Sequence, residues 1–386
     1  MTAHASTVSQ SEASTGSVSP GSRSDCMKDV TRLALTFNRD EDVFARLPVR
    51  AFTSLGSLSI FGGTVRVHEG AHGPPERLLS LSNLDLSHVK NHDASDEKLG
   101  NVLFAVLEQL PVVSIKRLSI GGAYGDRYED PTGEVVKPDP QSYGSLEVRD
   151  IVFDRCASTY DHFLYLSQVL VPGSLITLRV ELSNWKDLEA LRDLLIAAGH
   201  LVVSLDISLT NLIEHEECNK QSGPMPPWNF LVDCVAACPR LKQLRLRVLP
   251  RKNDTLDAAK DFDPSRYVPF GTVLRVLPPT IKHLAVRFTA RWDTCFGGED
   301  GTAWDLHALD DAIPSSRFPL LQRVSIEYEL GDLDIPDTVR HVVAKALPRL
   351  ASSNLISYTV GGRMDSADKR IDDEYYQPCM EEGVRC

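Results

Sequence analysis

The sequence predicts an α/β repeat solenoid: a curved parallel sheet on one side, helices on the other, and about eleven irregular repeats. Three observations carry this. A short pattern, apolar-x-x-Leu-x-apolar, recurs through the 386 residues at start-to-start spacings of 25 to 40 residues. Within each copy the last two apolar residues alternate, which puts both on one face of a strand. Between copies lies enough chain for a turn, a helix and a return loop, and several intervals carry apolar residues at helical spacing.

The copies run in order as Val30/Leu33/Leu35, Leu55/Leu58/Ile60, Leu81/Leu84/Leu86 and Ile115/Leu118/Ile120. They continue as Tyr143/Leu146/Val148, Leu175/Leu178/Val180, Val202/Leu205/Ile207 and Leu241/Leu244/Leu246. The last three are Ile281/Leu284/Val286, Leu321/Val324/Ile326 and Leu355/Tyr358/Val360. The first apolar residue leads the chain into each strand, and the second and third enter the core.

Helices fill the intervals. Residues 93–111 space Leu99, Val102, Leu103, Val106, Leu107 and Leu110 along one helical face and stop at Pro111. Residues 184–199 start at a capping Asn184 and end at Gly199. Residues 230–239, 268–279 and 337–348 each read as an apolar helix closed by proline. One strand–helix unit cannot bury its apolar face alone, whereas stacked units can.

Composition sets the class. Hydrophobic residues make up 42% and charged residues 24%, as in ordinary folded proteins. A net charge of −12 argues against a general nucleic-acid or anionic-membrane binder, since both need a positive field. No run of about eighteen apolar residues spans a membrane, and the N-terminus lacks the apolar core of a secretory signal. Eight cysteines without such a signal suggest reduced thiols in the cytoplasm or nucleus. Cys156, Cys234 and Cys238 read as small core residues. The Ser/Thr-rich residues 1–27 read as a disordered tail, 28–363 as the repeat domain and 364–386 as an acidic tail.

The pattern resembles the leucine-rich repeat family over residues 28 to 363. That family's fuller motif places Asn or Cys five residues after the first core Leu; only the first copy keeps it, at Asn38. The long uneven repeats, with "CPRLKQLRL", "LPPTIKHLAVRF" and "RFPLLQRVSIE", resemble the repeat part of fungal F-box proteins. That resemblance implies substrate recognition in a cullin–RING ubiquitin ligase. The F-box itself is not found. "VFARLPVRAFTSL" (43–55) has a Leu-Pro pair, but the strand at Leu55 follows too soon for the remaining helices. An Skp-type adaptor is therefore expected only if upstream sequence supplies the box. A repeat-protein inhibitor or regulator without a ligase link is the alternative, and a metal-dependent hydrolase a weaker one.

Candidate binding residues lie on the strand face opposite the core. In the late repeats they are Gln243, Arg245 and Arg247, then His283, Ala285 and Arg287, then Arg323, Ser325 and Glu327, with Lys242 and Lys282 beside them. The earlier repeats are mixed: Asp85, Ser119, Glu147, Arg149, Glu181 and Asp206. Arg149, Arg245, Arg247, His283, Arg287 and Arg323 would make a basic surface for an acidic or phosphorylated protein segment. The competing reading is a solvated strand face.

Other clusters point more weakly. His68/His72 and His88/His92 repeat a His-x3-His spacing, and His215, Cys218, Cys234 and Cys238 include a Cys-x3-Cys. Solvated loop histidines and buried core cysteines explain these more simply, so no metal or cofactor is expected. No phosphate-binding loop, dinucleotide fingerprint or nucleophile elbow occurs, and the Gly-rich 296–301 lacks a lysine. Asp310 and Asp311 read as a solvated helix start. Trp292, Phe296 and Trp304 on insertions read as sealing the core. An enzyme is not expected.

Overall fold

In the computed structural model the described residues are 30–38, 41–43, 54–65, 78–91, 102–110, 112–122, 145–154, 159–209, 228–247, 270–288, 310–311, 317–328, 344–345, 347–353 and 355–360. The expected N-terminal and acidic tails, the loop aromatics, Cys156, Cys218 and His68, His72, His92 and His215 lie outside them.

The strands are β1 (Arg32–Thr36), β2 (Ser57–Phe61), β3 (Thr64–Val65), β4 (Leu79–Ser87), β5 (Lys90–Asn91), β6 (Val112–Gly121), β7 (Glu147–Asp154) and β8 (Thr177–Glu181). They continue as β9 (Ser204–Ser208), β10 (Gln243–Arg247), β11 (His283–Phe288), β12 (Arg323–Tyr328) and β13 (Ile356–Val360). Eleven of these form one parallel sheet in chain order, and β3 pairs only with β5. Chain-order parallel pairing follows from the recurring pattern: each crossover returns the chain beside the strand it left. The described helices are α1 (Val102–Gln109), α2 (Thr159–Val169), α3 (Trp185–Ala198), α4 (Trp228–Ala236), α5 (Phe270–Val276) and α6 (Pro348–Ser352). None is long and apolar enough to cross a membrane.

The chain divides into two compact units, with the division inside β9: Met1–Leu205 with Ala237–Pro239, and Asp206–Ala236 with Arg240–Cys386. In the first unit, Leu58, Ile60, Leu84, Leu86, Leu118, Ile120, Ile151, Phe153, Leu178 and Val180 are all buried on one side of the strands. Phe153 packs edge-on against Phe163 of α2, ring centroids 5.1 Å apart. Removing one such side chain, as in Leu84→Ala, costs about 2–5 kcal/mol. In the second unit Leu244, Leu246, Leu284, Val286, Val324 and Ile326 play the same part.

Two copies are corrected in register. Leu118 pairs with Ile151 and Ile120 with Phe153, while Val148 aligns with the lead-in Ile115. The fifth repeat is therefore Val148/Ile151/Phe153, five residues later than the expected Tyr143/Leu146/Val148. Leu146 instead bridges Leu170 outside the sheet. In the last repeat Val324 aligns with Ile356 and Ile326 with Tyr358, two residues earlier than expected.

The helices differ in detail. Asn184 caps α3 as expected: its side chain accepts from the Asp187 N–H, and the Asp187 carboxylate reaches back to the Asn184 N–H. Helix α2 was not anticipated; its polar Tyr160, Asp161 and Gln168 blur the apolar stripe of His162, Phe163, Tyr165, Leu166 and Val169. Pro348 starts α6, occupying the first turn where a missing N–H costs nothing; of the helix expected over 337–348, residues 344 and 345 are described and are helical, and most of the rest lies outside the described residues.

Candidate functional site

The strand face opposite the core is built by register. In the first unit one row runs Ser57, Asn83, Arg117, Asp150, Thr177, and the next runs Ser59, Asp85, Ser119, Val152, Arg179. These side chains are mostly small, polar and half-buried, and Arg117 is exposed. The register correction moves two candidates. Glu147 aligns with Ser114, and the exposed Arg149 precedes the row that Asp150 occupies.

The ends of these strands are closed by backbone, not by a side-chain ladder. The N–H groups of Phe37, Gly62, His88 and Gly122 donate to the carbonyls of Phe61, Ser87, Gly121 and Asp154, at 2.8–3.1 Å. Asn38 itself works through its backbone, with its N–H donating to the Glu41 carboxylate at 3.0 Å. His88 holds φ 58°, in the left-handed region, and its ring meets Phe61 edge-on at 4.9 Å. Gly122, at φ +68°, faces that ring so closely that a Cβ would lie 2.5 Å from it. His88 thus ends a strand and packs. Among the described residues no three His, Cys, Asp or Glu side chains converge on a common point. Cys234 and Cys238 are buried and not joined in a disulfide, and burial pushes Cys238 up to about 12, far from a reactive thiolate.

In the second unit three rows cross β10, β11 and β12: Gln243–His283–Arg323, Arg245–Ala285–Ser325 and Arg247–Arg287–Glu327. Charge is not spread evenly along them. Arg247 donates from a terminal nitrogen to Asp206 Oδ2 at 2.9 Å, and Arg245 lies 3.7 Å from the same oxygen. Asp206, Arg247 and Arg287 are 2%, 5% and 3% exposed. Arg247, Arg287, Ala285 and Ser325 of the two later rows are therefore under cover, while Arg245 is half-buried. Buried guanidinium groups need such carboxylate partners, since an uncompensated buried charge is costly.

The first row is different. Lys242, Gln243, Lys282, His283 and Arg323 are all half-buried and reachable. Arg323 Nε donates to Ser357 Oγ at 2.6 Å, and Ser357 Oγ lies 3.0 Å from Ser325 Oγ, which anchors that guanidinium toward β13. Burial, then the charges of Arg323 and Lys282, push His283 below its ordinary value. Of the six sequence candidates, the structure brings Arg245 and Arg247 to one carboxylate, places Arg287 beside Arg247, and sets His283 next to Arg323. Arg149 belongs to the first unit.

Sequence reasoning missed Asp310. Its carboxylate is 4% exposed and accepts from the Leu350 N–H at 2.9 Å and the Arg349 N–H at 3.2 Å, so it caps α6 from afar. Only Asp311 is solvated as expected, and it pairs with Arg349 at 2.9 Å. It also missed the buried acids of the first unit. Asp187 accepts from the Ser183 N–H at 2.8 Å, and burial pushes it up to about 6 against the pull of its backbone donors. Burial likewise raises Asp161 to about 6. No signal short of the packed α2–α3 pair shows this, because Asp161 sits on a helix the apolar period does not reveal. No protein-family model matches the chain, and no curated protein matches it.

Proposed function

We propose that the chain is a leucine-rich repeat solenoid whose strand face holds another protein, without catalysis. The observation that carries this reading is the run of parallel strands in chain order, which lines up non-core side chains in rows on one face. In each unit such a face offers several weak polar contacts spread over neighbouring strands, suited to a polypeptide partner more than to a small substrate. The narrower reading follows the resemblance to fungal F-box proteins: the captured protein is a substrate of a cullin–RING ubiquitin ligase. An inhibitor or regulator that grips its target by the same face is the other reading, and needs no adaptor.

The test is capture of partners by the immobilised full chain, compared across variants. Ser59→Lys/Ser119→Lys and Gln243→Glu/Arg323→Glu alter the strand face. Lys186→Glu/Ile196→Ser alters the outer face of α3 and serves as control, since Ile196 is 65% exposed there. The proposal expects a partner lost with the face variants and kept with the control. Loss with the control alone would move the binding surface to the helices. Retention of a purified Skp-type adaptor supports the ligase reading, and failure to retain it even with upstream genomic sequence restored favours the inhibitor.

A further inference from the structure

At the strand starts of β10 and β11 Lys242 lies beside Lys282, and on β12 Gln322 and then Arg323 follow. The Lys242 carbonyl accepts from the N–H groups of Lys282 and His283 at 2.7 and 3.0 Å. The Lys282 carbonyl in turn accepts from Gln322 and Arg323 at 2.8 and 3.2 Å. The same backbone joint thus repeats from rung to rung, setting Lys242 and Lys282 about 5 Å apart, one strand spacing. Among the described residues no carboxylate pairs with Lys242 or Lys282; the nearby Asp206 is held by Arg245 and Arg247. On a chain of net charge −12, this local reversal of sign stands out.

His283 sits in the middle. Its neighbours in register are Gln243 on β10 and Arg323 on β12. The charged groups that act on it are Arg323 on β12 and Lys282 on its own chain segment, both cations; the carboxylate on the β10 side, Asp206, is engaged by Arg245 and Arg247, and Glu327 lies four residues further along β12. Its Nδ1 is shut away from water without a hydrogen-bond partner. A ring in that position stays neutral while the surrounding charge is positive, and takes a proton once negative charge arrives.

We propose that Lys242, Lys282, His283 and Arg323 form a docking site for a carboxylate-rich extended segment of the captured protein, and that docking takes up one proton at His283. This rests on the reading of the strand face as a protein-binding surface. The cations are strung along successive strands and do not converge on one point. They match carboxylates spaced along an extended chain, at roughly 3.3 Å per residue, better than a single phosphate. Because His283 is held below its ordinary value in the free protein, an anion beside it raises it again. Binding therefore tightens as pH falls through the histidine range.

The test uses the full chain and a fluorescent peptide of alternating glutamate and glycine, with glutamine and phosphoserine counterparts, read by fluorescence anisotropy. The glutamate peptide is expected to bind and the glutamine peptide not to. Its affinity is expected to rise several-fold between about pH 8 and about pH 6. In His283→Gln the ratio of affinities at about pH 6 and about pH 8 is expected to fall to about one, whatever the variant's affinity at either pH. Lys242→Glu/Lys282→Glu weakens binding about tenfold or more at both pH values, with an unchanged thermal melt. Absence of glutamate-peptide binding, binding only of the phosphoserine peptide, or indifference to the double reversal overturns the site. A pH response that survives in His283→Gln overturns the proton uptake. If the captured partner depends on Ser59 and Ser119 but not on Lys242 and Lys282, the strand-face reading stands and this proposal alone falls.

Discussion

One carboxylate, Asp206, carries the charge balance beneath the covered part of the second unit's strand face. It lies within 2.9 Å of Arg247 and 3.7 Å of Arg245, and it is 2% exposed. Asp206→Ala is expected to cost about 3–5 kcal/mol, because two guanidinium groups lose their shared partner in a low-dielectric setting. Denaturant unfolding measures this, and a loss under about 1 kcal/mol would show that the pair is solvated. Asp187 carries the corresponding load in the first unit. Its folded value is raised from the ordinary carboxylate range to about 6, so the protonated form is favoured by folding. That contribution is whole below about pH 4, fades as pH rises toward 6 and is gone above it. The total is on the order of 3 kcal/mol. Unfolding midpoints of Asp187→Asn and wild type should therefore converge at low pH and separate in favour of the variant near pH 7, apart from a constant loss of the capping bond.

At the scale of the element, the strand ends depend on backbone geometry. Gly122 combines a left-handed φ with contact against the His88 ring. Gly122→Ala is expected to cost about 1–3 kcal/mol. In a His88→Ala background the steric share should vanish and the penalty should shrink; an unchanged penalty would assign all of it to the dihedral. Elements of this kind show how far the sequence could be read. The alternating Leu pairs were legible at nine rungs, because burial of two side chains per strand leaves a period-two trace. The fifth rung was misread because Leu146 and Val148 imitate the pattern five residues early, and only pairing with Leu118 and Ile120 separates them from Ile151 and Phe153. Helix α3 was legible from its caps, and α2 was not, since acidic and aromatic residues interrupt its stripe. The candidate site was legible as residue types. What the sequence concealed was cover: Arg287 and Arg323 look alike in a string of letters, yet one is buried and the other is reachable.

At the scale of the whole molecule, the strand rows carry the functional account. Parallel neighbours in the observed register set which side chains share a face. The register is also where sequence and structure diverge most sharply, across β6 and β7. Disulfide formation between paired cysteines tests it directly. In the structure Ser119 pairs with Val152 on the same face. The sequence pattern would instead have set Ser119 beside Glu147. Oxidation of Ser119→Cys/Val152→Cys is expected to give an intramolecular bridge readily, because neighbouring strands hold Cα atoms about 5 Å apart. Ser119→Cys/Glu147→Cys is expected to give none. A bridge in the second variant and not the first would contradict the register, and with it the rows on which the proposed binding face is built.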